Sequence, residues 1–262
     1  MTVMSIARKA SKAAVTPLGL TARRRPGDVV ILLYHRVGSG GSEIELPSEV
    51  FERHLEQLVD HGSVLSLEDA VAGRNGGGVV VTFDDGYRDF YDVALPLLVK
   101  HRVPAVLYLA TGLVEGGDLA PSAGGLTWTQ LSEAMDTGLV TVGSHTHGHI
   151  DLSHTSEAVA EDEMRRSKDL IEDHLAAPCS HFAYPWAVSS AASDRAARRH
   201  FRTVALDAWS TNRSGRIDPY RLGRVPILRS DGHFFFRRKV RGQLDTEAWL
   251  YRALGRGPWG RP

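Results

Sequence analysis

The sequence has a single cysteine, no long apolar run and no excess of charge of either sign. Cys179 alone excludes an intramolecular disulfide, although it does not identify the redox compartment. No segment approaches the roughly 20 consecutive apolar residues that a spanning helix requires, so we expect a soluble or peripheral protein. Because 31 basic residues balance 31 acidic ones, no overall field attracts nucleic acid, and a neutral partner such as a glycan is favoured.

The chain length suits one enzyme-sized domain behind a short basic arm. With 262 residues in total, we expect the domain over residues 28–262 and the arm over residues 1–27, before the first acidic residue, Asp28. The arm has neither the apolar core nor the cleavage site of a secretory signal, so the sequence favours a cytoplasmic location. Its basic residues predict a weak contact with the inner face of a membrane, and a solvated terminus is the alternative.

Short apolar segments alternate with stretches of helical spacing, which is typical of parallel β/α units. The seven segments predicted as strands are Val29–Tyr34, Val79–Phe83, Ala105–Leu109, Leu139–Gly143, Phe182–Tyr184, Thr203–Leu206 and Arg224–Leu228. Helices are predicted between them, the first one capped by Ser48, and a last helix is predicted over residues 245–254. The pattern fits a closed barrel or an open doubly wound sheet, and both place chemistry at the carboxyl ends of the strands.

Polar residues follow several of these strands directly. His35 follows the first strand, Asp84 and Asp85 follow the second, and His145 follows the fourth. Two adjacent carboxylates would repel each other unless a positive charge offsets them, and a metal ion is the simplest such charge. If the segment from His145 to His149 formed one helical turn, the two imidazoles would converge and, with Asp85, offer two nitrogen ligands and one oxygen ligand. Each motif alone also fits a simpler explanation, an Asp-Gly turn or a group of exposed histidines.

Taken together, the two motifs resemble the first two signatures of the polysaccharide deacetylases, the NodB homology group of carbohydrate esterase family 4. The first signature is Thr-Phe-Asp-Asp-Gly, and the second comprises His145, Thr146, His149 and Leu152. The segment Phe182–Trp186 is similar to the third motif, and Asp207–Trp209 is similar to the fourth. The resemblance extends over roughly residues 29–228 and favours a distorted (β/α) barrel of about seven parallel strands.

The resemblance implies a role for each matching residue. Asp84 would be the general base, and Asp85, His145 and His149 would bind a divalent metal ion, for which zinc best suits the donor set. The backbone N–H of Trp186 would help to stabilise the oxyanion. The residues expected to line the substrate cleft or to support it are Tyr184, Trp186, Asp207, Trp209 and Arg224.

The third motif departs from the family pattern at two positions. Ala183 stands where many relatives carry an arginine that steadies the catalytic base, and Ala187 stands where glycine is usual. Arg224, beyond the fourth motif, is the expected substitute for the missing arginine. Neither departure affects a metal ligand.

The general acid of the family comes from a Leu-x-His motif that normally lies near the C-terminal end. In this chain Leu33-Tyr34-His35 matches it on the first strand, as in the circularly permuted branch that includes poly-N-acetylglucosamine deacetylases. The first and last strands of a closed ring are neighbours, so the acid can reach the same space from either end. His233 is the alternative acid, and a satisfied histidine at a strand end is the alternative role for His35.

The implied reaction is hydrolysis of the acetyl group of an N-acetylated sugar. Asp84 would take a proton from water, the metal ion would polarise the carbonyl group, and His35 would protonate the leaving amine. An O-acetyl carbohydrate esterase would use the same site and is the second hypothesis. The third is a carbohydrate-binding protein without activity, against which the complete set of metal ligands argues.

Overall fold

Seven parallel strands close into a barrel in the part of the chain that a computed structural model describes, residues 24–62, 64–116, 124–207 and 210–243. In chain order the strands are β1 (Val29–Tyr34), β2 (Arg36–Val37), β3 (Glu45–Leu46), β4 (Gly78–Asp85), β5 (Ala105–Leu109), β6 (Val140–Ser144), β7 (His181–Ala183), β8 (Thr203–Asp207) and β9 (Leu222–Pro226). The order around the barrel is β1-β4-β5-β6-β7-β8-β9, and β2 pairs with β3 beside it.

Closure of the barrel depends on the pairing of its first and last strands. β1 pairs in parallel with β9, so that Ile31 lies opposite Arg224. This pairing excludes the open doubly wound sheet, and the predicted (β/α) barrel is confirmed. The seven predicted strands are all present, with ends that differ by up to two residues from the observed ones.

Eight α-helices lie in the described part of the chain. They are α1 (Ser48–Asp60), α2 (Leu67–Val71), α3 (Leu95–His101), α4 (Thr111–Val114), α5 (Trp128–Asp136), α6 (Glu157–Leu175), α7 (Ala191–His200) and α8 (Gly232–Val240). Ser156 caps α6 by accepting a hydrogen bond from the N–H of Val159. The predicted cap of α1 is wrong, because Pro47 occupies the cap position and Ser48 is the first helical residue.

Alternate residues of the strands form two separate layers of the core. One layer lies between barrel and helices, where Phe83 packs edge-on against Phe51 of α1. The other layer fills the barrel and includes Val80, Tyr108 and Leu222. Because strand side chains alternate with period two, the face of β4 that carries Val80 also carries Asp84, and the face of β9 that carries Leu222 also carries Arg224. The interior rows of these two strands therefore include one carboxylate, that of Asp84, and one guanidinium group, that of Arg224.

Several predictions concern parts of the chain outside the described residues. The basic arm is described only from Arg24 onward, and the helix predicted over 245–254 is not covered. The boundary at residue 28, the cytoplasmic location and the membrane contact of the arm therefore stay predictions. Within the described ranges, no helix combines the length and the hydropathy needed to cross a bilayer.

Candidate metal centre and active site

The end of β4 presents two carboxylates that point to different neighbours. Asp84 continues the interior row of the strand, whereas Asp85 has a left-handed backbone with φ of 76°. The next residue, Gly86, has φ of 94°, and a Cβ atom there would lie 2.4 Å from a methyl carbon of Leu109. The turn after the two carboxylates therefore requires glycine at position 86.

Three side chains converge as possible metal ligands. One ligand atom each from Asp85, His145 and His149 lies within 4.8 Å of the other two. Oδ1 of Asp85 is 3.2 Å from Nε2 of His149 and 3.6 Å from Nε2 of His145. The structure thus brings together the three residues predicted to bind metal.

The segment that carries both histidines is an irregular loop, so the expected helical turn is wrong. Thr146 and His149 have left-handed backbones, with φ of 67° and 52°. A carboxylate oxygen of Glu163, on α6, accepts hydrogen bonds from the N–H groups of His147 and Gly148, at 3.0 and 2.7 Å. The loop conformation and this anchor, rather than helical spacing, bring the two imidazoles to the same point.

His145 is held in the tautomer that a metal ligand requires. Its Nδ1 donates a hydrogen bond of 2.7 Å to the carbonyl oxygen of Ala183, because a carbonyl can only accept. The proton on Nδ1 leaves Nε2 as a lone-pair donor directed at Asp85. Burial lowers the pKa of His145 to about 4, which keeps the imidazole neutral at neutral pH.

The donor set and its surroundings fit a divalent ion. Oδ1 of Asp85 is buried and accepts no well-aligned hydrogen bond from a described residue. Burial opposes ionisation of this carboxyl, but His149, His35 and His145 outweigh it and hold the pKa of Asp85 below its ordinary range. A buried carboxylate oxygen that lies 3.2 and 3.6 Å from two imidazole nitrogens is an environment that a metal ion would complete.

Asp84 is paired with an arginine from the opposite side of β1. Nη1 of Arg224 lies 2.6 Å from Oδ1 of Asp84, and Nη2 lies 2.8 Å from Oδ2. The side chains are only 1% and 3% exposed, so this is a buried bidentate ion pair. Arg224 therefore steadies Asp84, as the sequence suggested, and its burial contradicts a place among residues that touch the substrate.

The arginine also determines the charge of Asp84. Burial alone would raise the pKa of this carboxyl, but Arg224, with His145 and His35 nearby, holds it below its ordinary value. Oδ2 of Asp84 lies 3.6 Å from Nε2 of His145. An ionised carboxylate that can accept a proton thus lies beside the ligand set without belonging to it.

The pKa of His35 is influenced by the charged side chains of this site. Burial lowers its pKa, while the carboxylates of Asp85 and Asp84 act in the opposite direction. The alternative acid, His233, lies on α8, where its Nδ1 accepts a hydrogen bond of 3.1 Å from Gln57 of α1. Because α1 and α8 lie outside the barrel, the fold favours His35 over His233 as the histidine next to the reacting groups.

The two aromatic residues of the third motif have different surroundings. Trp186 is 53% exposed, and its ring packs edge-on against His149 with 4.8 Å between ring centroids. Tyr184 is 1% exposed, and its hydroxyl donates to Asp194 of α7 at 2.9 Å. The prediction that Tyr184 forms a wall of the sugar cleft is therefore wrong, because its ring belongs to the core between barrel and helix.

The fourth motif is only partly covered. Asp207 is the last residue of β8, opposite Arg224 in the pairing with β9. The side chain of Asp207 and the whole of Trp209 lie outside the described residues. Their predicted contacts with substrate stay predictions.

Two supporting residues were not found from the sequence. Burial and the nearby carboxylate of Asp85 raise the pKa of Tyr87, which is 5% exposed. Its position directly after Asp-Asp-Gly was the available signal. Glu163, the anchor of the histidine loop, lies in the middle of a charged helix and carries no local signal.

A closed parallel barrel, with two carboxylates and two convergent imidazoles beside the carboxyl ends of its strands, has the architecture of a barrel enzyme whose site lies on that rim. The sequence profile of the polysaccharide deacetylases matches residues 73–204, about half of the chain. The chain belongs to the polysaccharide deacetylase family.

Individual relatives agree with this assignment. The protein YxkH of Bacillus subtilis is 29% identical over 170 residues, which cover 62% of this chain and 57% of YxkH. The poly-β-1,6-N-acetyl-D-glucosamine N-deacetylase of Staphylococcus epidermidis is 24% identical over 206 residues, 72% of this chain and 71% of that enzyme. The chain therefore spans only part of the length of each of these relatives.

Two solved structures are similar over nearly their whole length. The Streptococcus pyogenes deacetylase PplD, determined in complex with acetate, has a TM-score of 0.73 and 27% identity, covering 82% of this chain and 99% of PplD. IcaB from Ammonifex degensii has a TM-score of 0.73 and 26% identity, covering 85% of this chain and all of IcaB. The barrel described here is thus the fold of these deacetylases.

Proposed function

We propose that this protein removes acetyl groups from an N-acetylated sugar in a metal-dependent hydrolysis. The observation that carries the proposal is the convergence of Asp85, His145 and His149 beside Asp84, a carboxylate that Arg224 keeps ionised. The Staphylococcus epidermidis relative acts on poly-β-1,6-N-acetyl-D-glucosamine, and PplD was determined with acetate, which supports an N-acetylated glycan as substrate.

Asp85, His145 and His149 would hold the ion. Two imidazole nitrogens and one carboxylate oxygen, with a position left for substrate, are the donor set of catalytic zinc sites, so zinc is the proposed metal. When bound, the ion would act as a Lewis acid towards the acetyl carbonyl and towards water. The hydrogen bond from His145 to Ala183 would keep one ligand oriented whether or not the ion is present.

Asp84 would act as the general base. Its low pKa keeps it ionised at neutral pH, and its oxygen atoms lie next to the ligand set without occupying a ligand position. A base in this place can take a proton from the attacking water as the bond to the carbonyl carbon forms. Arg224 would limit the movement of the carboxylate, because both oxygen atoms are engaged by one rigid guanidinium group.

His35 would act as the general acid. Amide hydrolysis requires a proton on the leaving nitrogen, since an amide anion is a very poor leaving group. Breaking the carbon–nitrogen bond then yields acetate and the free amine, with the proton from His35 ending on nitrogen. The N–H of Trp186 would donate to the carbonyl oxygen as negative charge develops there.

The decisive experiment is acetate release from N-acetylglucosamine oligomers and from acetyl-xylan, with and without chelator. We expect release from the N-acetyl substrates that stops with chelator and returns with zinc, and no release by Asp84→Asn. Preference for acetyl-xylan would instead indicate an O-acetyl esterase. A protein that binds oligomers but releases no acetate with any divalent metal would contradict the proposal.

A further inference from the structure

A polar cavity of about 600 Å³ opens beside β2, β3 and the first turn of α1. Its volume lies within the range of about 300–1,000 Å³ that small-molecule sites occupy. The charged side chains that line it are those of Arg36, Glu45, Glu49, Asp89 and Arg229. No role has been assigned to any of them in the proposed reaction.

The cavity adjoins the candidate active site. Arg36 directly follows His35, so their Cα atoms are about 3.8 Å apart. The guanidinium of Arg36 lies 5.3 Å from the centroid of the Tyr87 ring, and Tyr87 in turn lies near the carboxylate of Asp85, the proposed ligand. A sugar linked to the one being deacetylated would therefore have the cavity within reach.

The arginines of the lining are already engaged. Nε of Arg36 lies 2.7 Å from Asp89, and its Nη1 lies 3.2 Å from Glu45. Arg229 directs its guanidinium at backbone carbonyl groups, including that of Glu45 at 3.2 Å. Neither guanidinium is oriented by these contacts towards an incoming anion.

Three carboxylates against two guanidinium groups leave one excess negative charge in the cavity. The excess falls on Glu49, in the first turn of α1, whose carboxylate accepts a hydrogen bond of 3.2 Å from the Ser48 hydroxyl. Among the described residues, no basic side chain forms an ion pair with Glu49. The group that would complement this lining is a small cation that also forms hydrogen bonds.

We propose that the cavity binds the protonated amino group of a hexosamine unit that has already lost its acetyl group and is linked to the unit in the active site. The inference rests on the proposed deacetylase function, since that reaction makes such an amine. A neighbouring N-acetylated unit carries no charge and gains no ionic attraction from Glu49. The enzyme would therefore act preferentially beside units that it has already deacetylated.

The test compares two N-acetylglucosamine oligomers of equal length, one fully acetylated and one with a single free amine next to an acetylated unit. The quantity measured is the ratio of kcat/KM for the two substrates. For the wild-type protein we expect a ratio of about two- to fivefold in favour of the amine, the effect of one partly exposed ion pair. The ratio should fall towards one in Glu49→Gln and at high salt.

Glu56→Gln is the matched control. Glu56 is an exposed residue of α1 that does not line the cavity, so its replacement changes the charge of the same helix without changing the proposed site. A ratio near one in the wild-type protein, or the same ratio in Glu49→Gln as in Glu56→Gln, would overturn the inference.

A binding measurement separates this inference from the proposed function. Calorimetry with the Asp84→Asn protein needs no turnover, and the oligomer with a single free amine next to an acetylated unit should bind about two- to fivefold more tightly than the fully acetylated oligomer unless Glu49 is also replaced. Absence of acetate release from all substrates would contradict the deacetylase function. Equal binding of these two oligomers would contradict only the amine site.

Discussion

Replacing Arg224 with methionine tests whether the base owes its charge to the buried ion pair. Methionine keeps an unbranched side chain of similar length but leaves Asp84 without its bidentate partner. Breaking a buried pair by removal of one partner costs about 3–5 kcal/mol, because the other charge remains buried and uncompensated. Both side chains of the Asp84–Arg224 pair are almost completely buried, so we expect a cost of this size.

The pH dependence of stability should reverse. In the wild-type protein the pKa of Asp84 is lowered, so the stabilising contribution of the pair is present above the ordinary aspartate pKa and is lost as pH falls through the native value. In Arg224→Met, burial prevails and raises the pKa of Asp84 above its unfolded value. The contribution of Asp84 is then favourable below the ordinary pKa and is lost as pH rises through the new native value.

Urea unfolding between pH 4 and pH 8, in the presence of chelator, measures this effect. At pH 7 we expect Arg224→Met to be less stable than the wild-type protein by about 3–5 kcal/mol. The double variant with Asp84→Asn should recover part of the loss, because it removes the uncompensated charge. Equal stability of Arg224→Met and the wild-type protein, or no recovery in the double variant, would refute the reasoning.

Three further predictions concern the ligands, the acid and the third-motif turn. His149→Ala should lose most of its bound zinc in elemental analysis, whereas Asp84→Asn should retain it because a base is not a ligand. His35→Ala should lower kcat for an N-acetyl sugar by roughly 10²- to 10⁴-fold but affect an aryl acetate far less, since phenolate leaves without a proton. A similar loss with both substrates would exclude the acid role. Ala187→Gly should raise the free energy of unfolding by up to about 1 kcal/mol, because φ of 58° strains alanine but not glycine. Urea titration measures this change, and an unchanged free energy of unfolding would argue against the strain.

The residues that the sequence placed together correctly are those whose position follows from strand ends alone. Asp84 and Asp85 complete the strand β4, and His145 directly follows β6. In a parallel barrel all carboxyl ends open on the same rim, so local motifs on different strands meet without any knowledge of the loops. This is why Asp84, Asp85 and His145 could be grouped before the fold was known.

The misplaced residues depended on information that is not local. Tyr184 lies in the third motif, where a role in the substrate cleft was expected. The direction of its ring is instead determined by packing against α7 and by the hydrogen bond from its hydroxyl to Asp194. The convergence of His145 and His149 depends on Glu163, which comes from a helix later in the chain. Neither the Tyr184–Asp194 contact nor the Glu163 contact can be predicted from the spacing of residues within the motif.

The position of the arginine that pairs with Asp84 also has a packing cause. Ala183 on β7 and Ala205 on β8 face the barrel interior and are fully buried, so these strands contribute little volume there. Arg224 uses this interior, with its guanidinium 5.2 Å from the centroid of the Tyr108 ring, and reaches Asp84 across β1. An arginine at position 183 would add a second large cation to a space already filled by the first, and only one of them could pair with the single carboxylate. Ala183 therefore leaves free the interior space that Arg224 occupies, and Arg224 from β9 supplies the single partner of Asp84.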